Sequence, residues 1–189
     1  MRIIAGEFKG RTIPFNNKKQ GNARVTSDRV KKAAFSSLGE IIPDKRFLDL
    51  FACSGQIGLE AYSRGAQVVM NEPDRRCNRF IKQTLTDWDL HNHIQLHNRT
   101  AQTLLPNLAR LGCLFDIVYL DPPYHENIGD QPISCAILTR LAESPILAAN
   151  AHILVQHATQ TPLPESLPEL TRSRQKKYGD TMLTTYKKQ

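Results

Sequence analysis

Apolar positions in the middle of the chain alternate between short β-rich runs and longer segments with helical spacing. Residues 115–120, Phe-Asp-Ile-Val-Tyr-Leu, give the clearest strand pattern. Strands that alternate with helices in this way indicate a parallel sheet with helices on both faces. The pattern predicts strands over residues 47–51, 67–72, 94–97, 115–120 and 151–156, and helices over residues 57–64, 101–111 and 132–142.

A further helix is predicted after Asp74, a residue type that favours the N-cap position. Basic residues from Arg75 to Lys82 occupy its polar face. In the next helix, Pro106 predicts a break or a fresh start. The apolar positions of the helix after Asp74 that we expect to face the core are Cys77, Phe80, Ile81, Leu85 and Trp88.

The two ends of the chain show different patterns. Residues 2–15 alternate weakly and contain two glycines, which predicts a small hairpin, and residues 27–38 have the apolar stripe of a helix. After a proline-rich link, residues 170–177 and 181–188 predict two strands joined by a turn at Tyr178-Gly-Asp180. We expect this C-terminal antiparallel hairpin to complete the sheet.

Length and composition favour one domain over residues 1–189, with 1–46 as an N-terminal extension and 47–189 as the core. The chain has no apolar run near the roughly 20 residues of a membrane span and no secretory pattern, so we expect it in the cytoplasm. Its four cysteines are widely spaced, which predicts reduced thiols and neither a disulfide framework nor a zinc site. The six histidines show no metal-ligand spacing, and no metal is expected.

Positive charge is concentrated at the two ends. Residues 1–46 carry 11 Lys and Arg against four Asp and Glu, and residues 170–189 carry six against one. The segment between them is acidic, with eight against 13. The basic ends either keep the protein soluble or form a polyanion-binding face, and charge alone leaves both interpretations open.

A glycine-containing turn follows the first predicted strand. In open α/β sheets a ligand binds outside the carboxyl ends of the strands, close to this turn. Gly55 and Gly58 lie in the turn and at the helix start, and Glu72 ends the next strand, where a carboxylate can accept hydrogen bonds from a ribose. Cys53 stands where a dinucleotide-binding turn has glycine, so the turn favours a nucleoside cofactor without phosphates.

The motif Asp121-Pro-Pro-Tyr124 follows the strand over residues 115–120. Two prolines fix the backbone, so the Asp carboxylate and the Pro122 carbonyl are held as two acceptors, which suit an NH₂ group. An aromatic ring beside them offers a stacking surface for a planar base. Accepting both hydrogens of an exocyclic amine localises its lone pair, and the amine can then attack an electrophilic methyl group.

These motifs resemble the bacterial 16S ribosomal RNA guanine-N2 methyltransferases. The resemblance rests on Asp121-Pro-Pro-Tyr124 and on blocks over residues 2–6, 9–11, 24–30 and 48–55, and it extends to residue 180. It implies a Rossmann-like, seven-stranded class I methyltransferase sheet, mostly parallel, with a small N-terminal hairpin and helix extension. It also implies S-adenosylmethionine as cofactor and, as partner, 16S rRNA presented in the small ribosomal subunit to a monomeric enzyme.

The resemblance also implies roles for individual residues. Asp121, Pro122 and Tyr124 would hold the flipped guanine. Several positions depart from the family pattern: Cys53 replaces a glycine, Val25 a proline and Lys31-Lys32 an Arg-Glu pair, and Thr100 stands where Asp or Asn is common. The implied cofactor contacts are Asp49, Ala52, Ser54 and Gly55 at the methionine end, Glu72 at the ribose, and Thr100 and Ala101 at the adenine. The candidates for RNA phosphates are Arg11, Arg24, Arg29, Lys31 and Lys32.

Three alternatives remain open from the sequence. The same turn and motif would serve a DNA adenine or cytosine amino-methyltransferase, although little chain is left for reading DNA bases. Cys53 is compatible with a catalytically inactive RNA-binding factor for ribosome assembly. An NAD-dependent oxidoreductase is disfavoured by the missing glycine.

Overall fold

The predicted alternation of strands and helices is present in the structure, a computed structural model that describes residues 1–20 and 25–189. The chain divides into two units, Met1–Thr100 and Ala101–Gln189. The first contains α1 (Asp28–Leu38), β1 (Arg46–Asp49), α2 (Gln56–Ser63), β2 (Gln67–Asn71), α3 (Arg75–Asp87) and β3 (Gln95–His97). The second contains α4 (Ala101–Arg110), β4 (Phe115–Leu120), β5 (Asn127–Ile128), β6 (Gln131–Pro132), α5 (Ile133–Ala142), β7 (Leu147–Ala158), β8 (Ser166–Leu167), β9 (Leu170–Tyr178) and β10 (Thr181–Lys188).

The three strands of the first unit are parallel. Strand β1 pairs with β2, and β2 pairs with β3. Side chains such as Phe47, Leu48 and Met70 are fully buried, and helix α2 packs against β1 and β2. Because parallel strands end at the same edge, Asp49 and Asn71 both lie at the edge where a ligand is expected.

The second unit combines a parallel pair with an antiparallel hairpin. Strand β4 pairs in parallel with β7, β7 pairs antiparallel with β10, and β10 pairs antiparallel with β9. The predicted turn between β9 and β10 contains Gly179 at φ 65°. The two-residue strand β8 adds to β9, and β5 and β6 form a separate small hairpin. The predicted α/β fold, mostly parallel with a C-terminal antiparallel hairpin, is therefore confirmed.

The N-terminal arm, residues 1–15, folds back on itself and is held by helix α2. Its hairpin is limited to one bridge, between Arg2 and Thr12. Both carboxylate oxygens of buried Glu60 accept backbone N–H groups of the arm, at 2.7 and 3.1 Å. Gly6 has φ 82°, and a Cβ there would lie 1.7 Å from the carbonyl oxygen of Ser63, so only glycine fits this close approach.

Two predicted helix starts are confirmed by side-chain caps. The Oγ of Ser27 accepts the N–H of Val30 at the start of α1. A carboxylate oxygen of Asp74 accepts the N–H groups of Arg76 and Cys77 at the start of α3. These bonds satisfy backbone donors that have no partner inside the helix.

Two aromatic side chains of α3 and its C-cap contact the N-terminal arm. Phe80 meets Phe15 edge-on, with ring centroids 5.0 Å apart, and Trp88 stacks on Phe8 at 5.9 Å. Both are half-buried, whereas the core side of α3 is formed by Cys77, Ile81 and Leu85. The prediction that all five apolar positions face the core was wrong for these two, because the arm covers them.

Two element boundaries also differ from prediction. Helix α4 runs through Pro106 without a break, and the proline is exposed, so water can reach the carbonyl whose helical partner is lost. Strand β7 begins at Leu147, four residues before the predicted start. Its register to β4 shifts between Phe115 and Ile117, and Asn150 has φ 61°. Such a bulge interrupts the apolar pattern from which strands are predicted.

Within residues 1–20 and 25–189, no helix is long and apolar enough to cross a membrane. The four cysteines, all described, are free thiols. Within the same part of the chain, His, Cys, Asp and Glu side chains form no cluster of three that could hold a metal ion.

Candidate functional site

The turn after β1 has left-handed backbone at two positions. Gly55, the N-cap of α2, has φ 75°, and Cys53 has φ 49°. A non-glycine residue in this conformation costs about 1 kcal/mol. Ala52 donates its N–H to the carbonyl of Asn71 at 2.9 Å, and the side chain of Ser54 is buried. The expected cofactor residues of this turn are thus brought together at the end of β1.

Glu72 faces this turn from the end of β2. It is only 6% exposed; its Oε2 accepts the N–H of Cys53 at 2.6 Å and its Oε1 the N–H of Asp74 at 2.7 Å. Burial raises the pKa of this carboxyl group, and the two hydrogen bonds act in the opposite direction. Each oxygen retains a second lone pair, so the fixed carboxylate fits a ligand that offers two hydroxyl groups, such as a ribose.

Asp49 is the last residue of β1, directly before the turn. Its side chain is 1% exposed, and its Oδ2 accepts the N–H of Gly58 at 2.9 Å in the first turn of α2. A Cβ at Gly58 would lie 2.4 Å from the terminal methyl of Met70, so this glycine allows α2 to approach β2 closely. Asp49 is therefore positioned to fix the turn and the start of α2.

Asn71 is a residue of this site that the sequence did not single out. It is fully buried, and its Nδ2 donates to the carbonyls of Leu50 and Arg99 at 3.1 and 3.0 Å. Its Oδ1 accepts the N–H of Arg99. Asn71 thus ties the end of β1 to the loop that precedes exposed Thr100 and buried Ala101. An amide at a strand end next to an acidic residue is the one sequence signal for it.

The Asp-Pro-Pro-Tyr motif directly follows β4. Asp121 is half-buried, Pro122 is buried, and Pro123 is exposed. The small β5–β6 hairpin follows, turning at Gly129, and its end is tied back by the N–H of Ile133 donating to the carbonyl of Glu126. The motif is therefore held between a buried strand and a closed hairpin.

The hydroxyl group of Tyr124 is fixed by two side chains. It donates to the Oγ1 of Thr181 at 3.2 Å and accepts from the Nε2 of Gln156 at 3.1 Å. The Oε1 of Gln156 in turn accepts the hydroxyl of Tyr119 at 2.9 Å. Because the hydroxyl group is already hydrogen-bonded, the aromatic ring is the part of Tyr124 that can contact a ligand. Sequence reasoning missed Gln156 and Thr181, which no local motif marks.

The predicted RNA contacts have different environments. The guanidinium of Arg11 lies 4.2 Å from the centroid of the Trp88 ring and 5.5 Å from that of Phe8, a cation–π arrangement. Arg29 and Lys32 are exposed on α1. Arg24 lies outside the described residues.

Lys31 cannot contact a phosphate, which corrects its prediction as an RNA contact. Its side chain is 0% exposed; Nζ donates to the carbonyl of Arg2 at 2.6 Å and lies 3.6 Å from a carboxylate oxygen of Asp28. Desolvation by burial lowers the pKa of this ammonium group, while the charges of Glu60 and Asp28 act to raise it. Lys31 faces the arm because it lies on the buried side of α1. Composition alone does not show this position.

Comparison with known proteins identifies the family. The family model described as Conserved hypothetical protein 95 matches residues 1–187. The chain belongs to this family. It is 36% identical to Ribosomal RNA small subunit methyltransferase D of Haemophilus influenzae over 172 residues, covering 86% of this chain and 81% of the relative. It is 30% identical to the protein of that name from Escherichia coli, over 100% of this chain and 90% of the relative.

A solved methyltransferase from Geobacter sulfurreducens has the same fold, with a TM-score of 0.62 over 87% of this chain and 81% of that chain. At 17% identity, this likeness concerns the fold alone. The family predicted from the sequence motifs is therefore confirmed, together with the methyltransferase fold and the enzyme class.

Proposed function

We propose that this family member transfers a methyl group from S-adenosylmethionine to the exocyclic N2 amine of a guanine in 16S rRNA. The observation that carries the proposal is the Asp121-Pro-Pro-Tyr124 motif at the end of β4, with its aromatic ring anchored through Gln156 and Thr181. The family relatives named as small-subunit ribosomal RNA methyltransferases support the choice of substrate.

Most of the cofactor residues in this proposal lie in the first unit, and Ala101 is the first residue of the second. When bound, S-adenosylmethionine supplies a methyl group that its sulfonium already activates. Glu72 would accept the ribose hydroxyls, because backbone N–H groups hold its carboxylate in place. Asp49, Ala52, Ser54 and Gly55 would line the methionine end, and Asp49 would also fix their turn through its bond to the N–H of Gly58. Thr100 and Ala101 would contact the adenine.

The second unit supplies the base-binding residues. The carboxylate of Asp121 and the carbonyl of Pro122 would accept the two hydrogens of the guanine amine, which localises its lone pair and stabilises its developing positive charge. The ring of Tyr124 would stack on the base. After transfer the amine loses its proton to water, so no general base and no metal ion is needed.

The remaining parts of the proposal concern the substrate's context. Residues 1–189 act as one methyltransferase domain, in which residues 1–46 bind RNA through Arg11, Arg29 and Lys32. The substrate is the assembled small ribosomal subunit, the enzyme is a monomer, and it works in the cytoplasm, where ribosomes are made.

The deciding experiment is nucleoside mass spectrometry. Small ribosomal subunits from cells that lack this enzyme are incubated with the purified protein and S-adenosylmethionine. The wild-type protein is expected to produce N2-methylguanosine in 16S rRNA. Asp121→Ala is expected to produce none, while the matched variant Asp130→Ala, in the exposed turn of the β5–β6 hairpin, retains full activity.

Three other outcomes would overturn parts of the proposal. Full activity of Asp121→Ala would show that the base-binding site is misassigned. Binding of the subunit without any methylated nucleoside would favour an inactive assembly factor. Methylation of adenine or cytosine in DNA, with none in 16S rRNA, would favour the DNA-modifying alternative.

A further inference from the structure

Strand β9 is exposed along nearly its whole length. Arg174, Lys176 and Lys177 are exposed, and its neighbour on one side, β8, pairs only with residues 170 and 171. Most of β9 is therefore an edge strand, and its outer side chains are basic.

Two of these basic residues share a face with the residues that anchor Tyr124. Arg174, Lys176 and Tyr178 alternate along β9 and therefore point to one face of the sheet. Tyr178 lies directly opposite Thr181 in the register, and cross-strand partners share a face. The Oγ1 of Thr181 accepts a hydrogen bond from the hydroxyl of Tyr124, so this face of the sheet also carries the base-binding motif.

The strand direction brings the basic end of β9 to the correct edge of the sheet. Strand β7 is parallel to β4, and two successive antiparallel pairings make β9 parallel to both. The carboxyl end of β9 thus lies at the same edge as the carboxyl end of β4, where Tyr124 follows. Arg174 and Lys176 are about 7 Å apart along the strand, and Lys176 is the nearer to this edge.

The charges of these two residues are not neutralised within the described part of the chain. No carboxylate there lies within ion-pair distance of Arg174 or Lys176, and Lys176 Nζ lies 5.7 Å from the centroid of the Tyr178 ring. By contrast, Arg172, farther from the Tyr124 edge, pairs with Glu165. Arg172 is therefore a neutralised cation, whereas Arg174 and Lys176, on the face of Tyr178, are available and lie nearer to the site.

We propose that Arg174 and Lys176, the β9 track, bind the phosphate backbone of the ribosomal RNA next to the target guanine. This inference rests on the proposed function, since it places the substrate strand beside Tyr124. Phosphates are the partner of opposite charge, and both exposed side chains lie on the face that Thr181 shares with them.

The test measures binding of fluorescently labelled 16S rRNA between about 50 and 200 mM salt. In Arg174→Ala/Lys176→Ala, the slope of log K against log salt is expected to fall by about 1.5 to 2, and affinity to fall about tenfold. The matched control is Arg172→Ala/Lys187→Ala, which removes the same charge from the same hairpin, farther from the Tyr124 edge. It is expected to retain most of the wild-type slope.

Methyl transfer to small subunits supplies a second readout. The double variant is expected to raise the KM for subunits with kcat unchanged, and stabilisation by S-adenosylmethionine is expected to match the wild type. Replacement by Arg174→Lys/Lys176→Arg should restore the slope, because the charges return.

Four outcomes are informative. Equal slopes in the two double variants, with an active wild type, would overturn the β9 track and leave its charges to solubility or edge protection. Weaker binding to subunits but unchanged binding to protein-free RNA would overturn it in favour of a ribosomal protein. Absence of methylation by the wild type would instead overturn the proposed function. A selective loss of slope in the Arg174→Ala/Lys176→Ala variant supports the track.

Discussion

The two basic ends of the chain use their charges differently. In the first unit, Lys31 is buried beneath the N-terminal arm, and Arg11 lies against Trp88. In the C-terminal hairpin, Arg174 and Lys176 are exposed without a carboxylate partner among the described residues. Both ends look alike in composition, yet two of the N-terminal cations, Lys31 and Arg11, help to build the fold, whereas Arg174 and Lys176 on β9 are available to a partner. Net charge therefore indicates a polyanion only after the structural cations are set aside.

The largest effect should follow from removing the carboxylate that anchors the arm. Glu60→Ala leaves two backbone N–H groups and the Arg64 guanidinium without their buried acceptor. The free energy of unfolding is expected to fall by about 3–5 kcal/mol, measured by urea unfolding. Exposed Glu40→Ala is the control, with a change within about 0.5 kcal/mol. A loss below about 1 kcal/mol for Glu60→Ala would mean that the arm is not a structural element.

Neighbouring lysines provide a sharper contrast. Lys31→Met removes the donor to the Arg2 carbonyl and should cost about 1–3 kcal/mol, whereas Lys32→Met, on the exposed face of α1, should cost less than about 0.5 kcal/mol. Only Lys32→Met is expected to reduce the salt dependence of RNA binding. The reverse pattern would assign the phosphate contact to Lys31 after all.

Burial of Lys31 also predicts that the stability of the protein depends on pH. The pKa of Lys31 is lowered in the folded state, so between this lowered pKa and the ordinary value of 10.5 the unfolded chain binds more protons. The contribution of Lys31 to stability therefore rises with pH across that window. Unfolding measured from pH 7 to 10 should show the wild type gaining stability relative to Lys31→Met. A constant difference would contradict the burial of the ammonium group.

A substitution outside both basic ends, at Cys53, tests whether the effects on RNA binding are specific to the basic residues. Cys53→Gly removes a side chain from a residue with left-handed backbone, so the free energy of unfolding should rise by about 0.5–1 kcal/mol. The backbone of Cys113 is not left-handed, so Cys113→Gly should lower the free energy of unfolding by a similar amount. Calorimetric titration with S-adenosylmethionine should show equal or tighter binding for Cys53→Gly, and the salt slope for RNA should stay at the wild-type value. A changed slope would link the turn to RNA binding.

The smallest effect should come from Arg11→Lys, which keeps the charge but loses the planar guanidinium over Trp88. We expect about 0.5–1 kcal/mol of destabilisation and a shift in the fluorescence of Trp88, the single tryptophan, with the RNA salt slope unchanged. If Arg11 also contacts a phosphate, Arg11→Ala should change the fluorescence of Trp88 and also lower the RNA salt slope. An unchanged fluorescence in Arg11→Lys would show that the stacking is not maintained in solution.

The features that sequence predicted well are local. The helix that starts at Ser27, the cap at Asp74, the strand over residues 115–120 and the motif after it depend on residues within a few positions of one another. The anchoring of Tyr124 depends on partners 32 and 57 residues away, which no local pattern reports. Lys31 was misassigned because a lysine on a helix normally faces water, and its burial comes from an arm that packs over α1.

The arm's attachment also has a consequence for the order in which the protein folds. The Glu60 carboxylate on α2, which accepts two backbone N–H groups of the arm, lies 55 or 56 residues further along the chain, so the arm is synthesised well before the surface that receives it. During translation these residues have no partner until α2 has emerged from the ribosome and formed. Docking of the arm therefore cannot precede the formation of α2, and protection of its amides against hydrogen exchange should appear together with that of α2.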